Sequence, residues 1–435
     1  MFSRTYLIGR LKDNVALLRD YASLLSGSAG RLVLSLAYFV SVANGLTVGD
    51  FGLFATASAT GIVLSRIAGF GFVSPLYRTA TRRPQLIGAY TAGFLAALLA
   101  SLPLIALAGA GFFLVFFKGE MTAAAFVAIV AAEVLCWRLL EVVVIVANGM
   151  GRFFTGAVIV IAGSAVRAAA ALAFVGLGDG TLASWSLFYL AANAVSALGA
   201  IALCYPRRRL RWTPHLYRAR LRDSLSVAGA EIVFYLQSEL DKLLVLSFGG
   251  PHTAGIYAIL MRLVDLTALP VRSFNTMIVQ KLMRTPDLLA SWRVRWGVEA
   301  GIAAVSIAGL GFLGGVLHFF PRALGNNVAD AAPLVLIPLL VPAFRNLVEY
   351  QSELLYARGK TAIRAVIMAM VGAIKATLLI GLLGMFLDDR AWIFGLNGLF
   401  FALWIVSALA SYAALDREVA PQRRSPLSPA PQPGE

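Results

Sequence analysis

An all-α, polytopic membrane protein of about twelve transmembrane helices is the fold class the sequence predicts, and three observations predict it. The first is composition. The 435 residues are 59% hydrophobic and only 14% charged, with a mean hydropathy of +0.80, whereas soluble domains carry about 25% charged residues. The second is the recurrence of apolar stretches long enough to cross a hydrocarbon layer of about 30 Å at about 1.5 Å per helical residue. The third is the distribution of arginine, which clusters in every second loop.

Taken in order, the stretches fall at residues 21–46, 51–77, 86–116, 121–148, 153–177, 182–205, 224–248, 253–281, 293–320, 329–357, 361–387 and 391–415. The third is long enough to tilt or kink, and Pro103 offers a place for it, because proline removes a ladder hydrogen bond. Arg4, Arg10, Lys12 and Arg19 precede the first stretch without a short apolar core and a small-residue cleavage site, so no removable signal peptide is read. Cys136 and Cys204 lie in or beside apolar stretches, and His215, His252 and His318 are scattered. Neither set forms a disulfide framework or a metal site, and no cofactor is expected.

The formal charge of +15 is arranged by topology. The N-terminus, Arg78–Arg83, Arg152, Arg207–Arg222, Lys281–Arg295, Arg358–Arg364 and Arg417–Arg424 fall on one side. The opposite loops hold little beyond Lys118, Arg322 and Arg390. The positive-inside rule therefore puts both termini in the cytosol. The loop from Pro206 to Arg222, with seven arginines, Trp212 and Tyr217, reads as a cytosolic hinge on anionic lipid headgroups. No nucleic-acid-binding module surrounds it. Residues 421–435 are proline-rich and polar and read as a disordered tail.

The basic loop divides the chain into two halves of six spans: 1–20 an N-terminal cytosolic segment, 21–205 one lobe, 206–223 the inter-lobe loop, 224–415 the other lobe, and 416–435 the tail. The halves are weakly alike. Phe51-Gly52-Leu53-Phe54-Ala55, after the first span, superposes on Ala254-Gly255-Ile256-Tyr257-Ala258, after the seventh, and this aligns Arg78 with Lys281. Both halves start on the same side, so the repeat is parallel, with a central cavity between two lobes that rock to expose it to alternate sides.

The hairpin from Val48 to Arg78, with Gly49-Asp50-Phe51-Gly52-Leu53-Phe54 and Gly69-Phe70-Gly71-Phe72-Val73-Ser74-Pro75, resembles the opening of Wzx-type polysaccharide flippases. These belong to the multidrug/oligosaccharidyl-lipid/polysaccharide (MOP) exporter superfamily. Asp241-Lys242, the Ala254 to Ala258 segment and Arg262 carry a similar likeness in the second half. The chain departs from the lipid II flippases, which carry two further helices. The resemblance implies a MATE-like, V-shaped pair of bundles around a cationic cavity in a bacterial inner membrane. It implies an undecaprenyl-pyrophosphate-linked oligosaccharide as substrate, feeding O-antigen lipopolysaccharide or exopolysaccharide. A polysaccharide polymerase would be a partner, and H+ or Na+ a coupling ion.

Buried charge supplies the candidate site. Arg31, Arg66, Arg138, Arg167, Lys242, Arg262, Arg272, Arg345 and Lys375 fall well inside the spans. Facing lipid they would cost about 20 to 30 kcal/mol together, so they meet partners or water. Arg138 with Glu141, Arg262 with Asp265, and the stripe Arg345, Glu349 and Glu353 have helical pairing distances. Only Glu133 and Glu141 answer the four arginines of spans 1, 2, 4 and 5. Arginine forks suit phosphate oxygens, so Arg31 and Arg66, then Arg138 and Arg167, are the first-lobe candidates for a pyrophosphate head. Lys242, Arg262 and Arg272 lie on polar faces of spans 7 and 8 that would border the same cavity. Spans 7, 8, 10 and 11 hold six acids against five cations, which nominates Glu231, Glu239 and Asp265 for ion coupling. Trp137, Trp185, Trp292, Trp296, Trp392 and Trp404 are assigned to the headgroup belts.

Two other functions compete. A membrane-embedded glycosyltransferase or polymerase would need a sizeable outer loop or paired surface acids. The longest outer loop, Pro321 to Asp330, holds neither, and there is no Walker loop or nucleophile elbow. A MATE-like multidrug exporter would have the same spans, with an acidic cavity for cationic drugs. Surplus arginine points instead to an anionic substrate.

Overall fold

The computed structural model describes residues 30, 32–268, 271–272, 274–275, 278, 292–386 and 389–416. Each of the twelve apolar stretches falls at least in part on described helix. Eight described helices are long and apolar enough to cross a membrane. One of the eight, α9, is folded into two limbs, and shorter or interrupted helices supply the remaining stretches. Outward-facing Leu107, Leu177 and Leu203 are 73%, 82% and 86% exposed, as side chains that meet lipid must be.

Helix α1 (Leu32–Gly45) leads to α2 (Val48–Ser65) through a sharp turn. Thr47 caps α2: its Oγ1 accepts from Asp50 N at 3.1 Å and donates to Asp50 Oδ2 at 2.8 Å, placing a carboxylate at the positive end of the helix dipole. The second stretch, which reads as continuous in sequence, is broken at Ala68–Gly71, where Gly69, Phe70 and Gly71 all have positive φ, before α3 (Val73–Arg82) resumes. A side chain at Gly71 would lie 2.2 Å from Ser224 O, so glycine is required where this break meets the second half.

Helix α4 (Ile87–Phe112) runs through Pro103 without a break and ends in a π-helical turn, Phe113–Phe117. The fourth stretch is α5 (Ala123–Ala131), a π-helical turn from Ala132 to Trp137, and α6 (Arg138–Gly149). Such turns re-aim side chains relative to a regular helix. Helices α7 (Phe153–Leu177) and α8 (Leu182–Cys204) complete the first half.

The second half begins with α9 (Pro214–Thr267), which reverses at Gly250 (φ 76°, ψ 178°) followed by Pro251. It continues with α10 (Trp292–Phe319), the short α11 (Asn326–Ala331), α12 (Val341–Ala357), α13 (Thr361–Met385) and α14 (Asp389–Asp416). Within the first half α8 packs on α5, α6 and α7. Within the second, α13 packs on α9 and α14, and α12 on α10 and α14.

The halves meet mainly through α2 and α9. The two glycines aligned by the internal repeat face one another there. A Cβ on Gly52 would sit 2.4 Å from Gly255 N, and one on Gly255 would sit 2.0 Å from Val48 O. Beside them Asn44 Nδ2 donates to Leu324 O at 2.8 Å and Asn327 Nδ2 to Ala43 O at 2.7 Å, tying α1 to the α10–α11 connection. The end of the molecule that carries these turns is therefore closed.

Candidate functional site

Below that closure the two halves border a partly open cavity of about 320 Å³. Its walls come from α1, α2, the π-helical turn, α7, α8 and both limbs of α9. Tyr38, Phe39, Phe54 and Trp137 form apolar walls, and Glu133, Arg167, Lys242, Arg262 and Asp265 supply the charge.

Two of the cations are uncommitted. The Arg167 guanidinium lies 3.9 Å over the Trp137 ring and 6.0 Å from the centre of the Tyr38 ring, and it forms no ion pair among the described residues. Arg262 Nη2 donates to Ser35 Oγ at 2.5 Å and likewise reaches no carboxylate. Its sequence partner Asp265 is taken instead by Arg345 at 3.1 Å and Arg272 at 3.4 Å. Lys242 lines the cavity but is paired with Glu239 on its own helix at 2.5 Å.

Glu133 is the converse case. It is 3% exposed, accepts hydrogen bonds from Tyr189 Oη at 2.5 Å and Ser58 Oγ at 2.7 Å, and has no cation at ion-pair distance among the described residues. It sits in the π-helical turn, in a cavity wall that also carries Arg167.

Arg66 and Arg138, expected at the pyrophosphate site, do not line this cavity. Arg66 Nη1 donates to both oxygens of Glu141 at 3.0 Å and its guanidinium lies 4.0 Å from the centre of the Tyr235 ring. Arg138 donates to Glu141 at 2.8 Å and to Glu231 at 3.3 Å. This neutral network of two arginines and two glutamates joins α2 and α6 to the first limb of α9. Arg31 lies outside the described residues. Arg272 is bound between Asp265 and Glu349, each at 3.4 Å, and is not part of the cavity wall.

Glu231, Glu239 and Asp265, nominated for ion coupling because one of the six acids in their count was expected to lack a partner, are each paired with a cation. All six acids of that count are paired, because Arg138 and Arg364 enter from outside it. Asp241 meets Lys375 at 3.2 Å, Glu349 meets Arg272, and Glu353 meets Arg364 at 2.8 Å rather than completing a stripe with Arg345. The cavity acid with no cationic partner among the described residues is Glu133, which reads as a counter-ion in the sequence. Trp137 belongs to the cavity, and Trp185 and Trp392 to the core at 0% and 2% exposure, not to a headgroup belt. Trp292 and Trp296 are exposed.

Two arginine forks, aromatic walls and a hydroxyl-held carboxylate make a site that can bind an anionic group through charge-assisted hydrogen bonds.

No protein-family model matches the chain, and no curated protein matches it in sequence. Solved structures match it in fold. An inward-facing multidrug resistance MATE family transporter of the MOP superfamily is 14% identical, with a TM-score of 0.58 over 88% of this chain and 94% of that one. A MOP superfamily transporter from Pyrococcus furiosus, whose description reports reverse polarity of the binding pocket, is 14% identical with a TM-score of 0.60 over 92% and 95%. The lipid II flippase MurJ in an inward closed conformation is 13% identical, with a TM-score of 0.61 over 91% and 87%. At these identities the likeness carries the fold alone: the chain is a polytopic helical membrane protein with the fold of the MOP superfamily transporters.

Proposed function

We propose that this protein is a flippase that moves an undecaprenyl-pyrophosphate-linked oligosaccharide from the cytoplasmic to the periplasmic leaflet of a bacterial inner membrane. The product would feed O-antigen or exopolysaccharide assembly. The observation that carries this reading is the pair Arg167 and Arg262, two cavity arginines with no carboxylate partner among the described residues. Half-buried guanidinium groups that face a cavity without a carboxylate are ready to take an anion from a ligand, and a pyrophosphate supplies one with matching geometry. A cavity of about 320 Å³ suits that head. The polyprenyl tail stays in hydrocarbon, where it loses nothing to water.

In this proposal the halves 21–205 and 224–415 rock about the strap 206–223, both termini are cytosolic, and the closed turn end faces the periplasm. The Gly52–Gly255 contact would part when the cavity opens outward. Ion coupling is assigned to Glu133, because the other cavity acid, Asp265, is bound by two arginines.

Glu133 also favours a second reading, a MATE-like exporter of cations, in which that carboxylate receives the drug or the exchanged ion. One experiment separates the two. Lipids and surface polymer are measured in a strain lacking the protein, restored with wild type or Arg167→Ala. Accumulated lipid-linked repeat and lost polymer, rescued by wild type and not by the variant, is the expected result. Normal lipids and polymer with new drug sensitivity would replace the flippase with the exporter.

A further inference from the structure

A second cavity, of about 290 Å³, lies outside the central one between α4, α6, α8 and the strap. Its wall is apolar, with Leu95 on α4, Leu139 and Val143 on α6, and Ile201 on α8, while Arg207 and Arg208 stand at its mouth. Leu95 and Ile201 are 37% and 38% exposed, so the groove opens sideways, where lipid lies.

The strap is fitted to α4 at this place. A side chain on Gly88 would sit 2.2 Å from Arg209 O, Tyr205 Oη shares a hydrogen bond of 2.7 Å with Thr91 Oγ1, and Tyr217 Oη donates to Ala89 O at 2.8 Å. The arginines at the mouth are exposed and form no ion pair among the described residues. The nearest acid in the chain sequence, Asp223, is held by Arg78 at 3.6 Å and Arg220 at 3.9 Å. Apolar walls beneath exposed arginines that are unneutralised among the described residues, at the end of a helix bundle, match one chemistry: an acyl chain joined to a phosphate.

We propose that this groove binds an anionic phospholipid, one acyl chain lying along Leu139 and Val143 and the phosphate resting on Arg207 and Arg208. Seated there, the lipid staples the strap that joins the two halves to the first of them. The site is independent of the central cavity and of what that cavity carries.

The test uses the full chain in phosphatidylcholine vesicles doped with phosphatidylglycerol or phosphatidylcholine bearing a photoreactive acyl chain, with cross-linked peptides mapped. Phosphatidylglycerol should label the segments around Leu95, Leu139 to Val143 and Ile201 roughly tenfold more than phosphatidylcholine does. Arg207→Ala with Arg208→Ala should bring the two probes level. Leu95→Trp with Ile201→Trp should remove the label by filling a lipid-facing groove, with the fold intact. Arg218→Ala with Arg222→Ala, which removes as much charge from the same basic run outside the groove, should leave the label in place.

Equal labelling by both probes would overturn the site, as would a loss with Arg218→Ala and Arg222→Ala as large as with the groove arginines, which would mean diffuse attraction. Displacement of the phosphatidylglycerol label by polyprenyl phosphate at a lower concentration than by phosphatidylglycerol itself would assign the groove to a polyprenyl carrier and defeat the phospholipid.

Discussion

Arg138 and Glu133 lie on the same membrane stretch, on either side of the end of one π-helical turn, and they behave in opposite ways. Arg138 turns toward α9 and closes a neutral network with Glu141, Arg66 and Glu231. Glu133 turns into the cavity, where hydroxyls hold it and no cation reaches it among the described residues. The contrast teaches that buried charge in this fold has two uses. Charge that is matched locks helices of the two halves together, and charge that is left unmatched waits for something that comes and goes.

The largest expected effect breaks the locking side. Arg138→Ala strands Glu231 and half of the partnership of Glu141; removal of one member of a fully buried pair costs about 3 to 5 kcal/mol, and less here because Glu231 is 35% exposed and Glu141 keeps Arg66. The melting temperature in detergent should fall steeply. Replacing Arg138, Glu141, Arg66 and Glu231 together by apolar residues of similar volume should cost far less. A wild-type melting curve for Arg138→Ala would show that the network carries no structural weight.

Next in size is the seam between the halves. Gly255→Val must displace Val48 O, and overpacking of this kind costs about 1 to 3 kcal/mol. Here the cost falls on one conformation, the one closed at the turn end. Disulfide trapping between Asn44→Cys and Asn327→Cys, in a background without Cys136 and Cys204, should slow by roughly tenfold or more. An unchanged rate would mean that the glycine contact is not what holds this end shut.

That seam was half legible in the sequence, which paired the positions without placing them in contact. The repeat already paired Gly52 with Gly255 as equivalent positions, and equivalent positions near a twofold axis between two halves meet. The helical membrane stretches were legible for a similar reason, since hydropathy reports length: eight described helices are long and apolar enough to cross a membrane. The cavity was only partly so. Lys242, Arg262, Arg167 and Asp265 were nominated and do line it, but Arg66 was placed there by its depth and by the surplus of arginines over acids around it, and neither says which way a side chain faces. Counting acids against cations within chosen stretches failed because partners cross between halves: Glu231 of the second serves Arg138 of the first. The π-helical turn that aims Glu133 has no sequence signature, so an acid that seemed a counter-ion became the one acid of the cavity held only by hydroxyls.

The unmatched side is sharpened by Arg167. Arg167→Ala removes a fork that stacks on Trp137 and forms no ion pair among the described residues, so the melting temperature should move little while substrate transport falls. A lost charge-assisted hydrogen bond, at about 1.5 to 3 kcal/mol, corresponds to a ten- to hundredfold loss. Arg167→Lys keeps the charge without the planar fork and should fall between the two. If both variants transport as wild type does, the cavity arginine is structural, and the distinction between the two clusters fails at its most direct point.

Glu133→Gln should give the smallest change in binding, because an amide oxygen still accepts from Tyr189 and Ser58 and the cavity keeps its shape. Its effect should appear in coupling. A carboxylate with hydroxyl partners alone can exchange a proton or a monovalent cation without breaking an ion pair, whereas Asp265 must first leave two arginines. Wild-type protein in vesicles should move substrate faster when a proton or sodium gradient is imposed, and Glu133→Gln should move it at the same rate with the gradient and without it. A variant that keeps the full response to both gradients would take coupling away from Glu133. The free energy would then have to enter through a paired acid, and the division between matched and unmatched charge would describe binding but not the driving of transport.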